Sequence, residues 1–334
     1  MEATIEKQIK NAGDLVHTAE ESLLEIEDLT ITIDSVKKDL VKQIDLSIKA
    51  GEMLGLVGES GSGKSLTATA LLGLLPSSLQ ITGGTIRLGN HQITSLSEKE
   101  MRQVRGKEIA YVSQNYQSFF TPFIKIGKQF VEVIQSHSPT KKSEAKKIVR
   151  YWLNKVNLPA DRVFNSYPFQ LSGGQLQRAA IACAILLRPR LIIADEPTTA
   201  LDVLTGEKIL DLLRGLQKEL NCAILLITHD LKHVMNRSDE IAIMYGGQIL
   251  ERGRTCDVYQ NPAHPYTRLL FQSRLQLSKE VTKELRTIYG EPGLIAEKGC
   301  PFARRCPYVF EACNEIPQIK TVSDAHWVAC HAAN

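Results

Sequence analysis

Eight residues, Gly58-Glu59-Ser60-Gly61-Ser62-Gly63-Lys64-Ser65, fit the pattern G-x-x-x-x-G-K-[ST]. Glycines in such a loop let backbone N–H groups converge on phosphate oxygens, and a helix starting at its end adds a positive pole. Lys64 is placed to reach β- and γ-phosphates, and Ser65 to ligate Mg²⁺. The expected phosphate-binding stretch is Gly58 to Ser65, continued by Leu66 into a helix.

A second group is acidic. The apolar run Leu191 to Ala194 leads into Asp195 and Glu196. A strand ending in two carboxylates delivers both to the carboxyl edge of a parallel sheet, where ligands bind. Asp195 suits the Mg²⁺ side of such a site, and Glu196 suits a general base that polarises an attacking water. A third group is Leu171-Ser172-Gly173-Gly174-Gln175, a serine and two glycines at the start of a long helix. That is a second anion cradle. One γ-phosphate does not need two cradles from one subunit. Two subunits facing each other, each completing the other's site, is the economical reading.

Elements must hold these groups in place. "MLGLV" (53–57) reads as a short buried parallel strand before the glycine loop, and "SLTATALLGLL" (65–75) as the helix after it. "CAILLIT" (222–228) reads as another buried strand. "LLEIEDLTITI" (23–33) and "KQIDLSIKAGE" (42–52) alternate as half-buried strands do, and "TIRLGNHQI" (85–93) reads as a hairpin closed near Gly89-Asn90. Residues 115–180 carry helical patterns, notably 143–158. Four phenylalanines fall within 116–130, as a local core or as an apolar groove for a partner helix. Residues 1–20 read as a polar extension. The chain shows no internal repeat, so it holds one such module.

The 334 residues allow one large domain with an appendage, or two domains. A net charge of +3 does not suggest a nucleic-acid binder. No apolar run approaches the roughly 18 residues of a membrane span, and the acidic N-terminus lacks the apolar core of a signal peptide. The expected compartment is the cytosol, where stable disulfides are rare. Yet Cys300, Cys306, Cys313 and Cys330 crowd the last 35 residues of a chain with seven cysteines in all. In that compartment such clustering points to metal or redox chemistry. The spacing C-x5-C-x6-C-x16-C is wider than usual zinc pairs. Four thiolates also suit a [4Fe–4S] cluster. Zinc and bare thiols stay open on spacing alone. Residues 276–334 read as too short to bury a core, so a metal staple would supply folding energy.

Taken in order, these motifs resemble the ATP-binding cassette (ABC) ATPases over roughly residues 22–275. The resemblance implies an α/β P-loop NTPase fold with an antiparallel β subdomain, a helical subdomain and a short cysteine-rich C-terminal tail. It implies an ATPase domain over 21–275, with helical residues at about 115–180, and a regulatory or metal-binding tail over 276–334. It implies that Gln114 senses Mg²⁺ and the γ-phosphate, that Asp202 touches a partner subunit, and that His229 contacts the γ-phosphate. Where the family stacks adenine on an aromatic, residues 34–43 offer only aliphatic and polar groups, and no aromatic precedes Tyr111.

The segments "VYQNPAHPYTRLL" (258–270) and "GCPFARRCPYVFEAC…HWVACH" (299–331) resemble ATP-binding subunits of oligopeptide, dipeptide and nickel permeases. That resemblance implies a peripheral subunit on the cytoplasmic face of the membrane. Its implied partners are a second related ATPase, two transmembrane permease subunits and, indirectly, an external substrate-binding protein. It implies ATP, Mg²⁺ and a [4Fe–4S] cluster on the four tail cysteines, with Zn²⁺ as the alternative. Peptides are the expected cargo, and nickel or a metal chelate the alternative. A soluble cassette acting on nucleic acid or ribosomes is the competing class. It is disfavoured because such proteins carry tandem cassettes or long coiled-coil insertions.

Overall fold

Alternating burial along residues 22–49 produces two twelve-residue strands, β1 (Ser22–Ile33) and β2 (Lys38–Lys49). The computed structural model describes residues 22–273 and 288–333. The expected extension 1–20 and the start of the tail, 276–287, lie outside the described residues. Those described divide between two compact units. One holds 22–23, 49–51 and 99–223; the other holds 24–48, 52–98, 224–273 and 288–333.

Early in the chain, the second unit contributes β3 (Met53–Val57), buried at every position, then α1 (Lys64–Leu71), β4 (Leu79–Leu88) and β5 (His91–Gln92). An antiparallel sheet runs in the order β2-β1-β4-β5. Leu88 pairs with His91, so Gly89-Asn90 closes the expected hairpin, with Gly89 at φ 52°. The expected helix over 65–75 is shorter than the apolar pattern implied. Gly73 takes φ 60° just past its end, and the Leu74 N–H bonds back to the Thr69 carbonyl, a left-handed stop.

The first unit follows with α2 (Glu98–Val104), β6 (Ile109–Val112), α3 (Ile126–His137), α4 (Lys142–Lys155), α5 (Ala160–Asn165), α6 (Gly173–Ala184), β7 (Leu191–Asp195) and α7 (Val203–Leu220). Strands β6 and β7 pair in parallel, Tyr111 opposite Ile193. Helix α4 buries Ala145, Val149, Trp152 and Leu153, the i, i+4, i+7, i+8 stripe of an amphipathic helix. The four phenylalanines divide. Phe120 and Phe130 are buried with stacked rings, whereas Phe119 is 41% and Phe123 83% exposed. The local-core reading therefore holds for Phe120 and Phe130.

The chain returns to the second unit with β8 (Ala223–Thr228), α8 (Leu231–Met235), β9 (Glu240–Tyr245), β10 (Gln248–Arg254), α9 (Thr255–Gln260), α10 (Pro265–Gln272), β11 (Ile319–Ser323) and β12 (His326–Ala329). β3 lies between β8 and β9, parallel to both. β9, β10, β12 and β11 then continue the sheet antiparallel. This corrects the expectation of a tail without a core. The tail adds two strands to the β10 edge and buries Val328, Cys330 and Ala333 against Ala263. Sheet pairing therefore helps to hold the tail.

Candidate functional site

Strand β3 ends at Val57 and α1 begins at Lys64, so Gly58–Gly63 make the turn between them. Only glycine fits at Gly58, because an added Cβ would stand 2.1 Å from the Met244 carbonyl oxygen. Gly63 caps α1 at φ 109°, a conformation closed to ordinary side chains. Lys64 is buried, and its ammonium donates to the carbonyls of Gly58 and Glu59, both at 2.8 Å, and to Ser62 Oγ at 3.2 Å. The loop thus holds a cation at the start of α1, where a phosphate would meet both the ammonium and the helix N-terminus. Ser65 is exposed and Leu66 half-buried at the first turn of α1. His229 is exposed at the end of β8, in the same unit. Asp230 follows it and caps α8 by accepting from Lys232 N–H at 2.8 Å.

Gln114, Leu171–Gln175, Asp195, Glu196 and Asp202 belong to the first unit. Asp195 is the last residue of β7 and is buried. Its Oδ2 accepts the Tyr111 hydroxyl at 3.1 Å. Burial, then the neighbouring carboxylate, pushes the Tyr111 phenol well above its ordinary range, so it stays a donor. Glu196 sits in the left-handed region at φ 46°, an expensive conformation for a non-glycine residue and a mark of functional sites. Gln114 Nε2 donates to Glu196 Oε2 at 3.0 Å, and Thr199 Oγ1 donates to the same oxygen at 2.8 Å. A carboxylate held this way is oriented for work as a base.

Ser172 caps α6 by a reciprocal box. Gln175 N–H donates to Ser172 Oγ at 3.3 Å, and Ser172 N–H to Gln175 Oε1 at 3.1 Å. The two glycines sit against neighbours: an added Cβ would stand 2.8 Å from Tyr116 Oη at Gly173 and 2.8 Å from Thr205 Cγ2 at Gly174. Leu171 is half-buried just ahead of the cap. Asp202 caps α7 through Thr205 N–H at 3.0 Å, which holds its carboxyl below the usual range. Sequence reasoning missed Tyr111, Thr199, Tyr116 and Thr205. Each acts through a neighbour brought alongside by folding, and no local pattern marks them.

The tail cysteines converge. Each of Cys300, Cys306, Cys313 and Cys330 interacts electrostatically with the other three. Burial, with repulsion from the other thiolates, pushes Cys300 up to about 12; Phe302 N–H opposes this by bonding the sulfur. Cys306 and Cys330 are raised likewise, with the N–H groups of Tyr308, and of Ala332 and Ala333, opposing. Among the described residues, no group of three or more His, Cys, Asp or Glu is arranged to hold a single metal ion. A zinc ion would demand four sulfurs at about 2.3 Å from one point.

Residues 41–199 match the family model described as ABC transporter, and residues 250–313 match the oligopeptide/dipeptide transporter C-terminal region. The oligopeptide transport ATP-binding protein OppD of Salmonella typhimurium is 41% identical over 92% of this chain and 93% of its own length. This chain is an ABC ATPase of the oligopeptide/dipeptide transporter family. Further relatives of this ABC ATPase include the oligopeptide transport ATP-binding protein AmiE of Streptococcus pneumoniae. It is 40% identical over 91% of this chain and 88% of its own. Another is the dipeptide transport ATP-binding protein DppD of Bacillus subtilis, 39% identical over 87% and 88%. The fold of this chain is similar to the dimeric post-hydrolysis structure of the ATP-binding cassette MJ0796 bound to ADP and Pi. The TM-score is 0.62 and the identity 29%, covering 70% of this chain and 98% of that one. Among the described residues, no helix of the ABC ATPase is long and apolar enough to cross a membrane.

Proposed function

We propose that this ABC ATPase energises the uptake of peptides through separate membrane subunits, as a peripheral subunit on their cytoplasmic side. The observation that supports this most is that the likeness to peptide-transport ATPases does not stop at the cassette but continues through the C-terminal region, residues 250–313. Two ATP molecules are held between this chain and a second, related ATPase. Gly58 to Leu66 bind the phosphates, with Lys64 neutralising charge on the transferred group. The hydroxyl of Ser65, the carboxylate of Asp195 and the amide oxygen of Gln114 are hard donors suited to Mg²⁺. Mg²⁺ supplies charge neutralisation at the phosphates. Glu196 accepts the proton of the attacking water, and His229 contacts the γ-phosphate. Ser172, Gly173 and Gly174 present the start of α6 to the ATP of the partner, and Asp202 meets the partner's site. The exposed Phe119 and Phe123 suit docking of an apolar helix from a membrane subunit.

The same reading places a [4Fe–4S] cluster on Cys300, Cys306, Cys313 and Cys330. A cluster is wider than a single ion, so its ligands would stand further apart than those of a zinc site. The clustering of four cysteines in the last 35 residues, with Cys300, Cys313 and Cys330 buried, supports that reading. The cluster would supply a covalent staple for the tail. Anaerobic purification should give about four irons and four sulfides per chain; zinc alone, or no metal, overturns that assignment.

The cargo is tested in cells lacking this chain. Uptake of a labelled tetrapeptide should be lost, and should return with the wild-type chain but not with Lys64→Ala. Unimpaired peptide uptake together with lost nickel accumulation would contradict the reading.

A further inference from the structure

Arg305 lies in the tail between Cys300 and Cys306, and its side chain is 1% exposed. Its five N–H groups meet five acceptors. Nη1 donates to Glu59 Oε2 at 2.5 Å and to Tyr245 Oη at 3.3 Å. Nη2 donates to Glu59 Oε1 at 3.2 Å and to the Gly290 carbonyl at 3.3 Å. Nε donates to the Tyr289 carbonyl at 2.9 Å. The two bonds to Glu59 form a fork that only arginine can make. Glu59 is the second residue of the phosphate loop.

The other polar groups of Glu59 are held as well. Its N–H donates to Tyr266 Oη at 3.0 Å, and its carbonyl accepts Lys64 Nζ at 2.8 Å. The tail also supports this contact indirectly. Phe302 is fully buried with its ring 5.1 Å from that of Tyr266 and 5.2 Å from that of Tyr245. The tail therefore reaches the loop twice, through the Arg305 guanidinium and through the Phe302 ring behind Tyr266. Where Glu59 stands decides where one acceptor of the Lys64 ammonium stands.

We propose that Arg305 is a positioning residue for ATP: by fixing Glu59, the cysteine-rich tail sets how tightly the phosphate loop holds nucleotide. The inference rests on the ATP-binding role of that loop. A tail whose turn between Cys300 and Cys306 is lost would release the fork, so integrity of the tail and nucleotide affinity are coupled.

The test uses the full-length chain, a fluorescent ATP analogue for affinity, and steady-state turnover for KM and kcat. Glu59→Gln breaks the ion pair from the loop side and leaves the tail untouched. Arg305→Gln breaks it from the tail side, and Arg305→Lys keeps the charge without the fork. Each Gln variant should weaken ATP binding about tenfold, the scale of one lost ionic hydrogen bond, and KM should rise more than kcat falls. Arg305→Lys should recover part of the loss. The double Gln variant should be no weaker than the weaker single one, because both break one interaction. If Arg305→Gln does not fold, Glu59→Gln decides alone. ATP affinity within about twofold of wild type in every folded Gln variant, even with a lowered melting temperature, overturns the proposal, as do losses that multiply in the double variant. A wild-type chain that binds no nucleotide would instead overturn the ATPase reading beneath it.

Discussion

Gln114 donates its side-chain N–H to Glu196 at 3.0 Å, joining the second residue after β6 to the residue after β7. The parallel register of the two strands makes this meeting unavoidable: Val112 lies opposite Ala194, so both chains leave the sheet side by side. Thr199 reaches the same Glu196 oxygen at 2.8 Å. Glu196, the proposed general base, thus takes a donor from Gln114 and another from Thr199, and only Gln114 is proposed to touch Mg²⁺. Thr199→Val tests orientation alone. Turnover should fall roughly tenfold, the equivalent of about one hydrogen bond, with ATP affinity within about twofold of wild type. Unchanged turnover would show that Thr199 does not orient Glu196 for hydrolysis.

Tyr116 backs the start of α6, its Oη lying where a Cβ on Gly173 would approach to 2.8 Å. Gly173→Ala should cost about 1–3 kcal/mol of stability, the usual scale of overpacking, read by thermal unfolding. Adding Tyr116→Phe removes the clashing oxygen and should restore most of that stability. On the proposed role of α6, ATP turnover should stay low in the double variant, because a methyl group remains where the partner's phosphate is proposed to approach. Recovery of turnover together with stability would reduce the glycine to a packing role.

His264 caps α10, its Nδ1 accepting Tyr266 N–H at 3.0 Å, and it is buried. Burial, helped by the nearby Arg268 charge, lowers its pKa to about 3. The folded state therefore resists protonation that the unfolded chain accepts at about 6.5. The His264 contribution to stability is fully present above that pH and is lost as the pH falls from about 6.5 towards 3. The loss approaches about 1.4 kcal/mol per unit. His264→Asn keeps a cap acceptor and should flatten this part of the stability profile in chemical denaturation. An unchanged acid slope would assign it to other groups.

Most of the site was legible because its parts are contiguous. Gly58–Ser65, Leu171–Gln175 and Leu191–Glu196 each carry their chemistry within a few residues, and each folds as a strand end or helix start that local physics dictates. What escaped depends on partners distant in sequence. Glu59 and Arg305 are 246 residues apart, and Tyr111 and Asp195 are 84 apart. Such pairs follow from strand order, which periodicity does not reveal. The tail was misjudged for the same reason. Judged by its own length it lacked a core, but β12 borrows the edge of β10 and Phe302 borrows two tyrosines from elsewhere in the unit. The helix after the phosphate loop was overextended because the apolar pattern continued past Gly73, whose backbone had already turned.

The central claim is that Glu196 is the general base of an ATP-hydrolysing site. Single-turnover and steady-state hydrolysis by Glu196→Gln, measured beside its ATP affinity, tests this most directly. Turnover should drop by about two or more orders of magnitude, the range expected for a lost base, while ATP still binds as in wild type. Hydrolysis near the wild-type rate in Glu196→Gln would contradict the account.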